Sequence, residues 1–449
     1  MTSKRFSSRA LYGLGFLGLF ILLFNIFCNE PPAPKKPRVL AVRPSEGFHK
    51  KDIPVIIHGQ DLPEKFKAIL INAEKKQIQL TNLRRIDDKK AEATIPSNAD
   101  VGAYDLQIVP EGENPQPLTL GGAYEVLPSA LTIYTISVGQ GDATLLLSPS
   151  GKTMLIDAGR EEHARVITPF LQRIGVKHLD HIIATHYDAD HVGGLENVIN
   201  GPDGQSETKD DLAPKTAIWD PGGWSKNSSY ARARNRFKTI HKKLDGSSKE
   251  SFPTIDLGGD VKVKVMVTNG VYQDAAGKLH KINCKTDSNC RSVGTLITIG
   301  KFRFWTAGDL TGGGNGTPDV ESSLAKVIGS VDVYRAHHHG SKTSSNKAFA
   351  QALAPQVVIV SSGRDNSYCH PHPSILDLFA KQPGTWMLVT SAGITPAKTK
   401  CSPTKNKMSA FGSRQVLGAG TIRISAQADN FTIKVTNKPP LKTWKVRGN

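Results

Sequence analysis

Two histidines and two aspartates stand within six consecutive residues, directly after the short apolar run 181–184. They are His186, Asp188, Asp190 and His191. Imidazole and carboxylate side chains bind Zn²⁺, and carboxylates also suit Mn²⁺. Residues two apart project to the same side of an extended loop, so His186 and Asp188 can bind one ion while Asp190 and His191 bind a second. The density of the cluster after an apolar strand argues against the simpler alternative, a solvated polar turn.

Four further segments place aspartate or histidine residues near strand-like runs and turn signals. They contain Asp157 (155–159), Asp309 (304–310), three consecutive histidines (337–339) and His370 (367–373). Taken singly, such residues have structural explanations: a turn residue, a helix N-cap, an exposed histidine run, or a histidine packed beside proline. Their number and order favour a common site instead.

Together these segments resemble the motifs of the metallo-β-lactamase superfamily. The first cluster is similar to the His-x-His-x-Asp-His signature with Asp188 in place of the second histidine, as in the soluble domain of ComEC-type competence proteins and in choline-phosphoesterases of related build. Residues 137–143 (SVGQGDA) resemble their DVGQGDA motif, and residues 368–373 resemble YGHPHP with Cys369 in place of glycine. The resemblance covers residues 131–385 and implies an α/β fold, the four-layer αββα sandwich of the superfamily.

The resemblance implies two metal positions, which we call M1 and M2. The implied ligands are His186 and Asp188 at M1, Asp190, His191 and His339 at M2, and Asp309 at both. Asp157 is expected to support the metal loop from behind. The implied cofactor is Zn²⁺, as one or two ions, with Mn²⁺ as the alternative, and a metal-bound hydroxide is the implied nucleophile.

Catalytic and substrate-binding roles are implied as well. The expected catalytic residues are Asp190, His338 and His370, and the expected substrate-binding residues are Ser341 and Lys342. His338 would face the substrate, and His370 would stabilise charge on a phosphoryl oxygen. M1 is short of ligands, because His241 and His280, which precede Asp309, have no recognisable strand-end context.

The motifs and the charge together predict a phosphodiesterase or nuclease, with DNA as the leading substrate. The chain carries a net charge of +17, which favours a polyanionic substrate, although a basic soluble surface would give the same number. A hydrolase of another ester, such as a choline-phosphate or a lactone, is one alternative on the same fold. A non-catalytic envelope protein that binds through its β-sandwich is the other.

The N-terminal residues are typical of an export signal. Lys4, Arg5 and Arg9 precede the apolar run 10–27, so we expect a signal peptide or membrane anchor over residues 1–28. Cys28 stands where a bacterial lipoprotein carries its lipidated cysteine. A proline-rich linker, residues 29–37, follows. The protein is therefore expected in the cell envelope, outside the cytoplasm, as an anchored, lipidated or secreted protein that contacts the membrane through this segment.

The remaining chain divides into two folded regions. Residues 38–128 contain short apolar runs separated by turn signals, and they resemble the IPT/TIG immunoglobulin-like family, which implies an all-β sandwich without catalysis. Residues 129–449 are the expected hydrolase region. Within it, residues 200–290 are weakly patterned and are expected to form loops and a helix over the active-site face.

Four cysteines follow Cys28 in the chain: Cys284, Cys290, Cys369 and Cys401. An even number in an exported chain permits disulfides. The first two enclose five residues and can pair locally, which leaves the last two as the second pair, but four free thiols fit the sequence as well. The sequence carries no signal for the oligomeric state.

Overall fold

A computed structural model describes residues 36–223, 225–284, 286–364, 366–391, 401, 408–436 and 438–447. The expected signal or anchor, residues 1–28, and most of the linker lie outside the described residues. Among the helices in the described ranges, none is long and apolar enough to cross a membrane.

Residues 38–127 form an all-β region of nine strands. The strands are β1 (Arg38–Arg43), β2 (Glu46–Phe48), β3 (Ile53–Gln60), β4 (Phe66–Asn72), β5 (Gln77–Gln79), β6 (Thr81–Arg85), β7 (Lys90–Ile95), β8 (Gly102–Pro110) and β9 (Leu118–Leu127). They form two sheets, in the orders β1-β3-β7-β6 and β2-β9-β8-β4-β5. Side chains alternate along the strands, as in β3, where Val55 and Ile57 are buried and Pro54 and Ile56 are exposed. This alternation places one apolar face of each sheet in a shared core.

The second region is mixed α/β. Its strands are β10 (Leu131–Thr135), β11 (Thr144–Leu147), β12 (Thr153–Ile156), β13 (Leu179–Ile183), β14 (Pro214–Asp220), β15 (His241–Lys243), β16 (Thr254–Gly258), β17 (Val261–Thr268), β18 (Val271–Gln273), β19 (Leu279–Lys281), β20 (Gly294–Ile299), β21 (Phe302–Thr306), β22 (Val333–Arg335), β23 (Val357–Val360), β24 (Trp386–Val389), β25 (Gln415–Leu417), β26 (Ile422–Ala426), β27 (Asn430–Val435) and β28 (Pro440–Lys445). Its helices are α1 (Ala164–Arg173), α2 (Ala189–Val192), α3 (Leu195–Ile199), α4 (Ser228–Arg236), α5 (Glu321–Ile328), α6 (Lys347–Leu353) and α7 (Pro373–Ala380).

These strands form two large sheets with a common core. The first has nine strands in the order β15-β14-β13-β12-β11-β10-β26-β27-β28, and the second has ten, with β19-β18-β17-β20-β21-β22-β23-β24-β25 as its path and β16 beside β17. Apolar residues of both sheets, such as Ile133 and Ile297, share one cluster. A second cluster lies between the first sheet and helices α1, α3 and α4, and a third between the second sheet and helices α5 to α7.

The interpretation of residues 200–290 as loops and a helix is wrong. Helix α4 is present, but strands β14 to β19 also fall in this interval. Strand β17 has the sequence VKVKVMVT, in which Val261, Val263 and Val265 are buried and Lys262 and Lys264 are exposed. This period of two is the pattern of a strand with one buried face, and it was the available signal.

Both cysteine pairs are bonded. Cys284 is joined to Cys290, and Cys369 to Cys401. The local pairing expected for the first two cysteines is therefore confirmed, and the alternative of four free thiols is wrong. Each disulfide lies in a loop that approaches the residues described in the next subsection.

The β-region is joined to the second region through a buried polar junction. Tyr134 in β10 donates a hydrogen bond to the Glu46 carboxylate in β2. Arg423 in β26 contacts Glu46 at 3.3 Å and Glu125 in β9 at 2.5 Å, and Lys434 in β27 contacts Glu125 at 2.7 Å. Burial raises the pKa of Glu46, although Arg423 opposes this shift. Each region thus contributes charged groups whose ion-pair partners lie in the other region.

Candidate metal centre

The candidate residues follow the carboxyl ends of parallel strands in the two large sheets. In the first large sheet, β12 and β13 are parallel, and Asp157 and His186 follow their carboxyl ends. In the second, β21, β22 and β23 are parallel, and they are followed by Asp309, the turn His337–Gly340, and the loop that carries His370. The carboxyl ends of parallel strands meet at the same edge of a sheet, so segments far apart in the chain converge there.

Asp309 lies at the centre of the group, with its two oxygens facing two different pairs of histidines. Its Oδ1 is 3.1 Å from Nε2 of His191 and 3.6 Å from Nε2 of His339. Its Oδ2 is 3.9 Å from Nε2 of His186 and 3.6 Å from Nε2 of His338. One carboxylate therefore contacts two separate sets of nitrogen atoms, as a bridging ligand must.

The two aspartates of the first cluster lie on opposite sides of Asp309. Asp190 Oδ2 is 3.4 Å from Nε2 of His339, on the Oδ1 side. Asp188 Oδ2 is 3.7 Å from Nε2 of His186, on the Oδ2 side. The structure thus brings all six sequence-predicted ligands together. Their division between M1 and M2 stays a prediction, because ligand atoms of His186, His191 and Asp309 also lie within 4.8 Å of one another.

The buried atoms of this group fit a cation. Among the described residues, Nε2 of His186, His191 and His339 and Oδ1 of Asp309 are buried without a hydrogen-bond partner. Unpaired buried nitrogen and oxygen atoms are costly, and they are rare in folded proteins. Imidazole nitrogens and carboxylate oxygens lie within 4.8 Å of one another in the groups His186–His191–Asp309 and Asp190–His191–His339. Such a donor set suits Zn²⁺, with Mn²⁺ as the carboxylate-tolerant alternative.

The far nitrogen of each buried histidine is held by an acceptor. Nδ1 of His191 is 2.8 Å from Asp157 Oδ2, and Nδ1 of His339 is 3.0 Å from the carbonyl oxygen of Ser361. An acceptor at Nδ1 holds a proton there, so that in the neutral imidazole the lone pair is on Nε2, where a metal would bind. Asp157 also accepts hydrogen bonds from the backbone N–H and the hydroxyl of Thr185 at 2.8 and 2.6 Å. This is the supporting position expected for Asp157.

The loop that carries Asp309 packs closely against the loop that carries His186. Gly308 has a φ of +49°, and a Cβ there would lie 2.4 Å from the Thr185 hydroxyl oxygen. Only glycine combines this backbone conformation with this approach. The glycine before Asp309 is thus required for the two loops to meet.

The charges of His191 and of the carboxylates around it shift the pKa values of one another. Burial acts to lower the pKa of His191, but the carboxylates of Asp309 and Asp157 raise it well above its usual value. Burial acts to raise the pKa of Asp190, but His339 and His191 lower it below its usual range. Asp190 is therefore ionised at neutral pH, as a ligand must be.

Sequence reasoning gave no role to two buried residues behind M2, Asp142 and Arg335. Asp142 Oδ1 is 3.3 Å from Nδ1 of His339, and its Oδ2 is 3.6 Å from Nδ1 of His191. Arg335 forms an ion pair with Asp142, and burial lowers its pKa to about 9, so it remains charged at neutral pH. The SVGQGDA motif contains Asp142 and was a signal for it, whereas nothing local marks Arg335.

The three consecutive histidines have different surroundings. His337 is buried, with Nδ1 at 2.6 Å from Glu321 and Nε2 accepting a hydrogen bond from the Trp305 indole at 2.8 Å. Both of its nitrogens are therefore engaged away from the metal positions. Nδ1 of His338 is 2.8 Å from the Thr343 hydroxyl oxygen, and its Nε2 faces Asp309. Neither His241 nor His280 reaches this place, because they pair with Asp220 at 3.0 Å and Asp274 at 2.7 Å.

The remaining predicted residues lie beside the group. The ring of His370 is 5.4 Å from that of His338 and 6.0 Å from that of His339. Burial lowers the pKa of His370 to about 3, so it is a neutral hydrogen-bonding group at neutral pH. Ser341 is buried and accepts a hydrogen bond from the Thr343 hydroxyl at 2.9 Å, whereas Lys342 is exposed. Their binding of substrate stays a prediction.

A sequence profile of the Metallo-beta-lactamase superfamily matches residues 136–239, which include Asp157 and the whole first cluster. The chain contains a metallo-β-lactamase domain. The matched segment contains the proposed ligands that follow the first large sheet, residues 186–191. Asp309 and His339 follow strands of the second sheet and lie outside the matched segment.

Three curated relatives share this metallo-β-lactamase region. ComE operon protein 3 of Bacillus subtilis is 26% identical over 58% of this chain and 32% of its own length. Recombination protein 2 of Haemophilus influenzae is 27% identical over 54% of the chain and 26% of its own length. Competence protein ComA of Neisseria gonorrhoeae is 24% identical over 60% of the chain and 34% of its own length. The matched part of the chain is thus homologous to competence proteins and spans about a third or less of their length.

Proposed function

We propose that the protein is a metal-dependent hydrolase that cleaves phosphodiester bonds. The observation that carries this proposal is the group around Asp309, where each carboxylate oxygen faces its own pair of histidines within 3.9 Å. A binding protein without catalysis has no need to keep six such side chains converging, several of them buried without hydrogen-bond partners.

The residues present would hold two ions. M2 would be held by Asp190, His191, His339 and Asp309, and M1 by His186, Asp188 and Asp309. His338 supplies the M1 donor that the sequence lacked, because its Nε2 faces the same Asp309 oxygen as His186 does. When bound, Zn²⁺ or Mn²⁺ lowers the pKa of water and neutralises charge on phosphoryl oxygens.

Protein groups beside the ions would orient the substrate. Neutral His370 can donate a hydrogen bond to a phosphoryl oxygen, since Gln140 contacts its Nδ1 at 3.5 Å and leaves Nε2 for a ligand. Lys342 is exposed next to the histidine turn and can pair with a substrate phosphate. Asp190 is ionised and would act through the ion that it holds.

The distribution of charge supports nucleic acid as the substrate, with DNA first. Residues 129–449 carry 40 lysines and arginines against 26 aspartates and glutamates, whereas residues 38–128 carry 12 against 13. The positive charge therefore belongs to the region with the metal centre, where it would attract a polyanion. The names of the relatives, which refer to competence and recombination, agree with a substrate of this class.

We also propose the finer fold assignments. The three apolar clusters, one between the large sheets and one under each group of helices, support the four-layer αββα order. The two facing sheets of residues 38–127 support an IPT/TIG-like sandwich. The basic and apolar composition of residues 1–28 supports export to the cell envelope.

The test is metal analysis combined with a substrate panel on the full chain. We expect two Zn²⁺ or Mn²⁺ ions per chain and cleavage of single-stranded DNA and of bis-p-nitrophenyl phosphate, but not of a lactone or a β-lactam. Asp190→Ala should abolish cleavage. The matched control is Asp203→Ala, which removes an exposed aspartate of the loop after α3 and should cleave normally. Full activity in Asp190→Ala, or a metal-free active protein, would refute the proposal.

A further inference from the structure

A serine far along the chain contacts one of the M1 ligands. The hydroxyl of Ser288 donates a hydrogen bond to Asp188 Oδ1 at 3.0 Å. The other oxygen of Asp188, Oδ2, is the one that lies 3.7 Å from His186 Nε2. One carboxylate oxygen is thus held by the protein while the other faces the M1 position, which is the usual arrangement of a supported metal ligand.

Asp188 needs such support more than the other ligands do. Its side chain is 44% exposed, whereas that of Asp190 is 17% exposed and that of Asp309 4%. Asp188 is the N-cap residue of α2, yet its carboxylate makes no capping hydrogen bond. Neither packing nor the helix therefore fixes the direction of this carboxylate, and the Ser288 hydroxyl does.

Ser288 itself is fixed by the Cys284–Cys290 disulfide. The disulfide closes the loop that carries Ser288, and both of its cysteines are buried in the core beside Trp305. Asp287 adds two hydrogen bonds inside the loop, from its N–H to the Cys284 carbonyl at 2.9 Å and from the Cys290 N–H to its Oδ1 at 3.1 Å. A short loop with this closure has little freedom to move away from Asp188.

The residues after the disulfide join the same loop to both metal-binding segments. The Val293 N–H donates to the Thr185 carbonyl at 2.8 Å, next to His186. The Asp309 N–H donates to the Ser292 hydroxyl at 3.3 Å. The disulfide loop and the residues that directly follow it therefore contact Asp188, Thr185 and Asp309.

We propose that residues 286–293 support M1, with Ser288 as the positioning residue for Asp188 and the Cys284–Cys290 disulfide as the condition for its geometry. The inference rests on the proposed metal-dependent function and adds that occupancy of M1 depends on a loop outside the recognised motifs. M2 has its own supports, Asp157 and Ser361, and does not share this dependence.

The experiment is a titration of the full, metal-free chain with Zn²⁺ in competition with a chromophoric chelator, followed by Co²⁺ absorption spectra. The wild-type protein should bind two ions. Ser288→Ala should lower the affinity for the more weakly bound ion about tenfold or more, as is typical when a supporting group is removed. It should leave the affinity for the more tightly bound ion unchanged. Ser288→Thr keeps the hydroxyl and should restore the wild-type step. The Cys284→Ala/Cys290→Ala double variant should behave as Ser288→Ala does.

Matched controls separate positioning from general stability. Cys369→Ala/Cys401→Ala removes the other disulfide and should leave both binding steps intact. Ser322→Ala should do the same, because the Ser322 hydroxyl bonds to Asp319 and Asn346 and to none of the proposed metal ligands. Unchanged binding in Ser288→Ala, or equal weakening of both steps, would overturn the inference, and so would a wild-type chain that binds fewer than two ions. Two ions in the wild type and one in Ser288→Ala would uphold it even if no phosphodiester were cleaved, which would count against the proposed function alone.

Discussion

The support of His191 by Asp157 gives the sharpest prediction, tested by Asp157→Asn. Asp157 is buried, and its φ of +58° lies in the left-handed region, which asparagine tolerates better than most residues do. The variant should therefore fold. Its amide oxygen can still accept the Thr185 N–H, which places the NH₂ group where Oδ2 now meets Nδ1 of His191.

An NH₂ group donates where the carboxylate accepted, so it favours the other tautomer of His191. The ring proton then moves to Nε2, 3.1 Å from Asp309 Oδ1, and blocks the lone pair that a metal would need. Loss of such a support weakens metal binding about 10- to 100-fold, which corresponds to about 1.4–2.7 kcal/mol. The loss should fall on M2, the opposite site from that affected by Ser288→Ala.

The assay is the same chelator competition, with Asp180→Asn as the matched control. Asp180 accepts a hydrogen bond from the Thr153 N–H at 2.8 Å, at the start of β12 and away from the metal centre. The control should bind both ions normally. Wild-type M2 affinity in a folded Asp157→Asn variant would refute the tautomer argument.

Two further predictions concern buried charges. Arg335→Met leaves Asp142 buried without its cation, so the free energy of unfolding measured in urea should fall by about 3–5 kcal/mol. Adding Asp142→Asn should recover part of this loss. If it recovers none, the pairing of Arg335 with Asp142 is contradicted. Burial acts to raise the pKa of Glu125, but Arg423 and Lys434 lower it below its usual 4.5. The stabilisation by Glu125 is therefore present above pH 4.5 and is lost as the pH falls through the lowered pKa. Glu125→Gln should lower the unfolding temperature at neutral pH, with a difference from wild type that shrinks in acid; a constant difference would count against the linkage.

The residues that the structure brings together around Asp309 could be selected from the sequence because they lie in short motifs. His186 to His191 are contiguous, and Asp309 and His339 each stand beside glycine after a strand. The sequence predicted a catalytic role for His338 but not that its Nε2 would face Asp309, because this depends on how the ring is turned in the histidine turn, where the φ of His338 is +50°. No local pattern encodes that direction.

The supports of the centre were less visible, since they are made by contacts between distant residues. Ser288 and Asp188 are 100 positions apart, and Asp142 lies in the loop between β10 and β11 whereas Arg335 lies in β22 of the other large sheet. The strands of residues 214–281 were missed for another reason. Three of them, such as His241–Lys243, have only three residues, too few to show a period, whereas the period of two in Val261–Thr268 was present in the sequence and was overlooked.

The polar junction between the regions has a consequence for the evolution of the chain. A chain that began at Leu131 would leave Arg423 and Lys434 without the Glu125 carboxylate and would uncover Tyr134. Substitutions on the two sides of this surface must therefore compensate each other. The β-region is thus a cover that has to change together with the metallo-β-lactamase region beneath it, and it cannot be exchanged for an unrelated sandwich as an independent module.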